Sequence, residues 1–147
     1  MKLSKALKLK NKKVSEYNTI VTKMVSYNSY DIDSKKVYNS KELYNEVVTK
    51  LLDLVKFKAA IHTTTEPIRE RIFELAELKN LLMNVNRLNT TEGKVKSRGY
   101  DGSDVSVYAC DIVEEEKVQI MQALQNSIET IQDEIDAFNA TTDLKGY

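Results

Sequence analysis

Residues 59–71, AAIHTTTEPIRER, decide how the chain divides into helices. They contain the only histidine of the sequence, His62, and the only proline, Pro67. Proline is tolerated in the first turn of a helix, because its missing N–H would have no partner there. Thr65 or Glu66 could cap that turn. The stretch therefore predicts a tight corner at which one helix ends and the next folds back as an antiparallel hairpin.

Apolar residues at helical spacing lie on both sides of this corner. Before it, Asn39 followed three residues later by Glu42 is an N-terminal capping signal and opens a helix over residues 40–62. After it, a similar pattern predicts a helix over residues 67–89. The two predicted apolar stripes are Leu43, Val47, Leu51, Leu54, Val55, Ala59 and Ile61, and then Ile68, Ile72, Leu75, Leu78, Leu82, Val85 and Leu88.

Two further helices are predicted at the ends of the chain. Residues 2–26 repeat apolar positions in heptads, which is the pattern of a helix that packs against another in coiled-coil fashion. Residues 112–138 form the last helix, with Asp111 as its cap and three glutamates in its first turn, where the helix dipole favours negative charge. Their seams are Leu3, Leu7, Lys10, Val14, Tyr17, Val21 and Met24, and Val118, Met121, Leu124, Ile128, Ile131, Ile135 and Phe138.

Residues 94–110 interrupt the helical pattern. Glycines punctuate this region, and Asp101-Gly102 is a turn dipeptide. Val105, Val107 and Ala109 alternate with Ser106, Tyr108 and Cys110, which predicts a short strand that could pair with residues 94–98. The fold class is therefore mainly α, an elongated antiparallel four-helix bundle or set of helical hairpins with a β excursion between helices 3 and 4.

The composition bounds the class of protein. A chain of 147 residues is expected to form one domain, residues 1–147. The single cysteine, Cys110, excludes an internal disulfide framework and favours a reducing compartment. No apolar stretch approaches the roughly 18 residues that a membrane span needs, and the first residues lack the apolar run of a secretory signal. We therefore expect a cytoplasmic protein.

The charge is balanced overall but unevenly placed. Residues 1–24 contain seven lysines and one glutamate, for a net charge of +6, whereas residues 111–136 contain eight acids and one lysine, for a net charge of −7. The basic helix could bind phosphate or an anionic membrane. It could equally lie beside the acidic helix, in the same chain or in a neighbouring copy. Apolar Leu52, Leu81 and Ile120 lie off the main stripes, so we expect homo-oligomerisation.

The corner and the end of the last helix supply the first candidate site. In an up-down bundle they would meet at one pole, where hydroxyl, amide and guanidinium groups could bind an anion or a nucleotide. The alternative is that threonine and asparagine here only satisfy the ends of helices. The candidate residues are His62, Thr63, Thr64, Thr65, Arg69, Arg71, Asn139, Thr141 and Thr142.

The glycine-bearing loop supplies the second candidate site. Lys94, Lys96 and Arg98 could hold a phosphate while Tyr100 stacks on a base. The alternative is an ordinary exposed hairpin. Acidic residues are interleaved with the basic ones in this loop, so we expect no nucleic-acid partner.

The sequence contains few residues that could act in catalysis. His62 and Cys110 could act as base and nucleophile only if the fold joined them. The glutamates at 114–116 are better explained by the helix dipole than by a metal ion, because a metal site needs clustered ligands. The sequence contains no glycine loop of the kind that cradles phosphate. We therefore expect a protein that is not an enzyme and that uses no metal or cofactor.

Four segments, in this order, resemble small bacterial proteins often labelled septicolysin: MKLSKALKLK, KELYNEVVTKLLDLVKFKAAIHTTT, RGYDGSDVSVYACDI and IQDEIDAFNATTDL. The resemblance implies an elongated helical-hairpin subunit that assembles into a closed ring or barrel, with a hexamer expected, and it implies no catalytic mechanism. The chain departs from the family at two places. Residues 60–65 stand where members carry an Arg-Ile-Asn-x-Thr-Asn-like stretch, and residues 139–142 lack the tryptophan of Asn-Trp-Thr-Thr.

Two hypotheses of function follow. The first is a non-catalytic homo-oligomer that acts as a scaffold or sequesters a small anionic, nucleotide-like ligand at subunit junctions, as a viral sponge for a signalling nucleotide would. The second is a membrane-active, pore-forming protein of the septicolysin type, in which the basic helix 2–26 lies in an anionic interface.

Overall fold

A computed structural model describes residues 1–96 and 104–147. In these residues the chain forms four α-helices, one 3₁₀ turn and one two-stranded antiparallel sheet between the third and fourth helices, which confirms the mainly helical class. The elements are α1 (Leu3–Ser26), α2 (Ser40–Thr64), the 3₁₀ turn (Glu66–Ile68), α3 (Arg69–Asn86), β1 (Gly93–Lys96), β2 (Val105–Tyr108) and α4 (Glu114–Thr141).

The corner differs from its prediction in where α3 begins and in the hydrogen bonds of Thr65. Pro67 lies in the first turn, as its chemistry requires, but this turn is 3₁₀ and α3 begins only at Arg69. Thr65 occupies the cap position without capping: its hydroxyl donates to the carbonyls of Ile61 and His62 at 3.0 Å each. The predicted Thr65 cap is therefore wrong, because this hydroxyl satisfies the free carbonyls at the end of α2 instead.

The predicted bounds of α3 and α4 also need correction. α3 ends at Asn86 rather than 89, and its last carbonyls accept from the amides of Arg87 and Leu88 at 3.0 Å. α4 begins at Glu114 rather than 112 and continues to Thr141 rather than 138. Asp111 is therefore too far from the helix to occupy its N-cap position. The three glutamates do lie in the first turn, as predicted.

Contacts between Cα atoms divide the chain into two compact units. The first unit is residues 1–69 with 136–147, and the second unit is residues 70–135. The expectation of a single domain over residues 1–147 stays a prediction.

In the first unit α1 and α2 pack side by side in opposite directions. Ser40, at the start of α2, donates its hydroxyl to the carbonyl of Met24 at the end of α1 at 2.9 Å. At the other end of the pair, Leu3, Ala6 and Phe57 are fully buried and form the core with Ile61. Partly buried Leu7, Leu9, Phe138 and Leu144 pack against this core.

The buried face of α2 is rotated from the predicted stripe. Val47, Leu54 and Ile61 are buried as expected, but Leu51 and Val55 are exposed. Ala59 is exposed as well. Phe57, which the stripe omitted, is at the centre of the core. The reason is that within the first unit α1 covers only one side of α2, and Leu51, Val55 and Ala59 lie on another side.

In the second unit α3 and the first three-quarters of α4 lie alongside each other in opposite directions. Arg71 near the start of α3 pairs with Glu134 at 3.0 Å, and Lys117 near the start of α4 donates to the carbonyl of Leu88 at 3.1 Å. Leu75, Ile128 and Ile131 are the buried apolar side chains at this pairing. Each of these three residues belongs to a predicted stripe.

The sheet is a small hairpin with exposed strands. Gly93 pairs with Tyr108 and Lys96 pairs with Val105 in antiparallel register. All residues of both strands are exposed, so the hairpin contributes little to the core. Gly93 has φ of 84°, a left-handed conformation that favours glycine where the chain enters the strand.

Candidate ligand-binding site

The end of α2 in the first unit is held against residues 142–147, which we call the tail. Thr64 is 2% exposed, and its hydroxyl donates to the carbonyl of Ala60 at 2.7 Å while accepting from the amide of Lys145 at 3.0 Å. The amide of Leu3 donates to the carbonyl of Thr142 at 2.8 Å. Lys2 pairs with Asp143 at 2.9 Å. The tail is therefore fixed to both α1 and α2.

A groove of about 450 Å³ runs between the tail and α2, and we call it the tail groove. Its α2 side is formed by Lys56, Ala59, Ala60 and Thr63. Its tail side is formed by Lys145, Gly146 and Tyr147, with Gly146 at φ of 76° turning the chain. Two of these residues carry a positive charge and none is acidic. The small side chains of two alanines and a glycine leave the groove open between the two lysines.

Tyr147 is positioned by an aromatic contact and a hydrogen bond. Its ring meets that of Phe57 edge-on, with centroids 4.7 Å apart at 72°. Its hydroxyl donates to Asp53, which also accepts from the Lys13 amine. The Lys13 amine lies 5.4 Å from the Phe57 ring centroid and 5.7 Å from that of Tyr147. The edge of the tail groove is thus held by a connected set of side chains.

Hydrogen bonds between lysines and aspartates of the first unit shift the pKa values of these groups in the direction that favours their charged forms. The hydrogen bond from Lys13, followed by that from Tyr147, lowers the pKa of Asp53 below its ordinary value of 3.8. The same hydrogen bond to Asp53 raises the pKa of Lys13 above 10.5. Asp143 likewise has its pKa lowered, mainly by Lys2. Two carboxylates of the first unit are therefore paired with lysines rather than left to repel an anion.

The predicted residues at the end of α2 have unequal roles. His62 is exposed, and its carbonyl accepts from the Arg69 guanidinium at 2.8 Å. Thr64 is buried, and Thr65 is bonded to the last turn of α2. Thr63 lines the tail groove. Of this group, Thr63 and His62 keep side chains that a ligand could reach.

The predicted residues at the end of α4 are mostly engaged in local structure. The Thr141 hydroxyl donates to the carbonyl of Ala137 at 2.8 Å. Thr142 contributes its carbonyl to Leu3 and its amide to the carbonyl of Phe138 at 2.9 Å. Asn139 is half-buried. The end of α4 thus lies beside the start of α1 and supports the tail.

Arg71 lies in the second unit and is already paired. It contacts Glu74 at 2.7 Å and Glu134 at 3.0 Å. The hydrogen bond to Glu74 and the charge of Glu134 raise its pKa above its ordinary value. Its guanidinium is therefore committed to an ion-pair network on α3 and α4.

The second candidate site is only partly within the described residues. Lys94 and Lys96 lie on β1 and are exposed. The other two members, Arg98 and Tyr100, lie outside the described residues.

Cys110 has a poor environment for a nucleophile. Its thiol donates to the carbonyl of Thr91 at 3.2 Å. Partial burial raises the pKa of the thiol, and the negative charges of Glu92 and Asp111 raise it further. A reactive thiol needs a pKa that is lowered rather than raised.

No group of three His, Cys, Asp or Glu residues in the described part of the chain is placed to hold a metal ion.

Sequence reasoning missed Lys56, Lys145 and Tyr147, the three larger side chains of the tail groove. In the sequence, nothing distinguishes Lys56 from the other lysines of the same predicted helix. Residues 145–147 match no motif. The one available signal was Gly146 followed by Tyr147, which indicates a turn that places an aromatic ring against the rest of the protein.

Comparison of the chain with models of protein families, with curated proteins and with solved structures finds no match. The resemblance to septicolysin stays a prediction. The function is therefore argued from the geometry of the tail groove and the surface of the first unit.

Proposed function

We propose that this protein is a non-catalytic, cytoplasmic homo-oligomer that binds or sequesters a small anionic, nucleotide-like ligand. The observation that carries the proposal is the tail groove, where Lys56 and Lys145 flank a floor of small side chains. At about 450 Å³ the groove lies within the range of about 300–1,000 Å³ typical of small-molecule sites.

The charge around the tail groove favours an anion. Among its lining side chains there are two amines and no carboxylate. The acids close to it in the first unit, Asp53 and Asp143, are each paired with a lysine. A phosphate between the two amines would gain charge-assisted hydrogen bonds. Tyr147 supplies an aromatic surface beside them, which suits a ligand that joins phosphate to a flat ring.

The exposed side of α2 supports self-association. Leu51 is 41% exposed, Leu52 59% and Val55 56%, and they lie within two turns of the same helix. Such a contiguous apolar patch is commonly covered by a protein partner. A neighbouring copy packed against this side of α2 would place its surface next to Ala59 and the tail groove. The ligand would then be held at a subunit junction, and without a ligand the assembly would act as a scaffold.

The membrane-active alternative has less support. A basic helix that enters an anionic interface must offer its apolar side to lipid. In α1 that side is in use, because Leu3 and Ala6 are fully buried and pack with Phe57. Among the described residues no helix is long and apolar enough to cross a membrane.

Calorimetric titration of the purified protein tests the proposal. The probes are mononucleotides, cyclic dinucleotides and, as the minimal anion, inorganic phosphate. We expect at least one nucleotide to bind, with Lys56→Gln and Lys145→Gln each weakening binding about tenfold, the value of one lost charged hydrogen bond.

Lys58→Gln is the matched control, because Lys58 is an exposed lysine of the same helix that does not line the tail groove. Its binding should equal that of the wild type. Failure of every probe to bind at millimolar concentration, or equal effects of all three substitutions, would contradict a ligand in the tail groove.

A further inference from the structure

The loop between α1 and α2 has a defined turn at its tip. The carboxylate of Asp31 accepts from the amide of Asp33 at 2.9 Å, and the Asp31 carbonyl accepts from the amide of Ser34 at 3.0 Å. These two bonds make an Asx turn inside a β-turn. Ile32 lies at the second position of that turn and is 87% exposed. The loop therefore presents an isoleucine between two carboxylates.

The base of the same loop is held by aromatic contacts. The Lys36 amine lies 4.6 Å from the ring centroid of Tyr30, and the Lys23 amine lies 5.2 Å from that of Tyr38. Tyr38 also meets Tyr27, with ring centroids 4.9 Å apart. Ordering such a loop costs conformational entropy. These contacts hold the loop in one arrangement and leave Ile32 uncovered at its tip.

Beside this loop, the end of α1 and the start of α2 form a groove of about 650 Å³, which we call the end groove. Its apolar surface comes from Met24, Val25 and Tyr44, and its polar groups include Lys41. Val25 and Tyr44 are exposed. The bond from the Ser40 hydroxyl to the Met24 carbonyl fixes the two helix ends at this spacing. The end groove is thus an apolar surface with a cation at its border.

We infer that the end groove receives Ile32 of a second copy of this chain. Apolar Met24, Val25 and Tyr44 match the isoleucine side chain. Asp31 and Asp33 would then face Lys41 and the N-terminal end of α2, where the helix dipole is positive. Glu42, the acid of that first turn, lies two residues from Tyr44 and therefore about 200° around the helix, away from the end groove.

The geometry favours a reciprocal contact. The Ile32 turn and the end groove lie at the same end of the α1–α2 pair, so a two-fold axis would let each copy insert its isoleucine into the other. Two such insertions double the apolar area removed from water. This inference rests on the self-association in the proposed function and adds a second contact to the one on the exposed side of α2, and it does not depend on the tail groove or its ligand.

Analytical ultracentrifugation of the full chain from 1 to 200 µM tests the contact. We expect the wild type to self-associate and Ile32→Asp to raise the dissociation constant at least about tenfold, because a carboxylate replaces the buried isoleucine. Val107→Asp is the control: Val107 is 73% exposed on β2, and this substitution should leave the constant unchanged.

A cross-link gives a second readout. In a Cys110→Ser background, Ile32→Cys combined with Tyr44→Cys should give a covalent dimer under mild oxidation, and neither single cysteine should do so to the same extent. A wild type that self-associates with the same constant as Ile32→Asp would overturn the contact and leave self-association standing. A wild type that is monomeric at 200 µM would overturn both, while leaving ligand binding by the tail groove as a separate result.

Discussion

Phe57 is the residue on which the stability of the first unit depends most. It is fully buried between α1, α2 and the ring of Tyr147. We predict that Phe57→Ala lowers the free energy of unfolding by about 3–5 kcal/mol, the usual cost of a large aromatic cavity. Phe73→Ala is the matched control, because Phe73 is 64% exposed on α3, and its cost should be below about 1 kcal/mol. Urea denaturation measures both, and equal costs would contradict the assigned core.

Asp53 gives the molecule a pH dependence with a definite sign. Its hydrogen bonds from Lys13 and Tyr147 lower its pKa in the folded state. Its stabilising effect is therefore complete above the ordinary aspartate pKa of about 3.9 and is lost as the pH falls through the lowered folded value. We predict that the wild type melts at a higher temperature than Asp53→Asn at pH 6, and that this difference narrows below about pH 4.

Thermal melts from pH 2 to pH 7 measure this difference. Asp133→Asn serves as the control, since Asp133 is an exposed carboxylate on α4. Its melting temperature should follow that of the wild type across the range. A difference between wild type and Asp53→Asn that stays constant with pH would contradict the role given to the Lys13–Asp53 pair.

For single residues, the sequence predicted several of the buried positions but not which face of α2 is buried or which partner a hydroxyl bonds. Leu3, Leu54 and Ile61 were predicted in the core and are buried. Phe57 was missed, because the periodicity of α2 fits two adjacent faces and only the position of α1 selects between them. Thr65 or Glu66 was expected to cap the turn after the corner, but the Thr65 hydroxyl donates to the last turn of α2 instead.

Among the elements, the tail is joined to the end of α2 by one buried hydroxyl. Thr64 joins the end of α2 to the amide of Lys145. We predict that Thr64→Val, which keeps the shape and removes the hydroxyl, leaves the Lys145 amide without its acceptor and costs about 1–3 kcal/mol. Hydrogen exchange of the Lys145 amide should be at least tenfold faster, about 1.4 kcal/mol in free energy.

The control for the tail is Thr64→Ser, which keeps the hydroxyl and should retain most of the protection of that amide. Protection that survives in Thr64→Val would indicate that the tail is held by other contacts. The tail side of the groove would then not depend on Thr64, although the groove itself would remain.

Elements were predictable where the pattern is local. All four helices were predicted with bounds within three residues of those observed, because their apolar periodicity and caps lie in the sequence. The hairpin followed from alternation and from glycine. The bounds that differ by two or three residues are the end of α2 and both ends of α3 and of α4. They lie next to the corner, the hairpin and the tail, where contacts outside the helix decide its first or last turn.

At the scale of the whole molecule, the candidate site shows the limit of sequence reasoning. Thr63 and Thr64 lie at the end of α2, as the helix pattern predicts, and their role in a site stays a prediction. Lys145 and Tyr147 were not, because they reach α2 only through contacts across 81 and 94 positions of the chain. No periodicity or motif encodes such a contact. Leu51 and Val55 of α2 were likewise assigned to the core and are exposed, because the apolar pattern alone does not state which side of the helix another element covers.

Native mass spectrometry of the freshly purified, undenatured protein, with and without added nucleotide, tests the central claim most directly. We predict an assembly whose mass is an integral multiple of 16.8 kDa and which carries additional small-molecule mass, retained from the cell or taken up from the probe. Lys56→Gln should assemble equally and lose most of that extra mass. A monomer that carries no ligand at any probe concentration would contradict the account of this protein as a ligand-binding assembly.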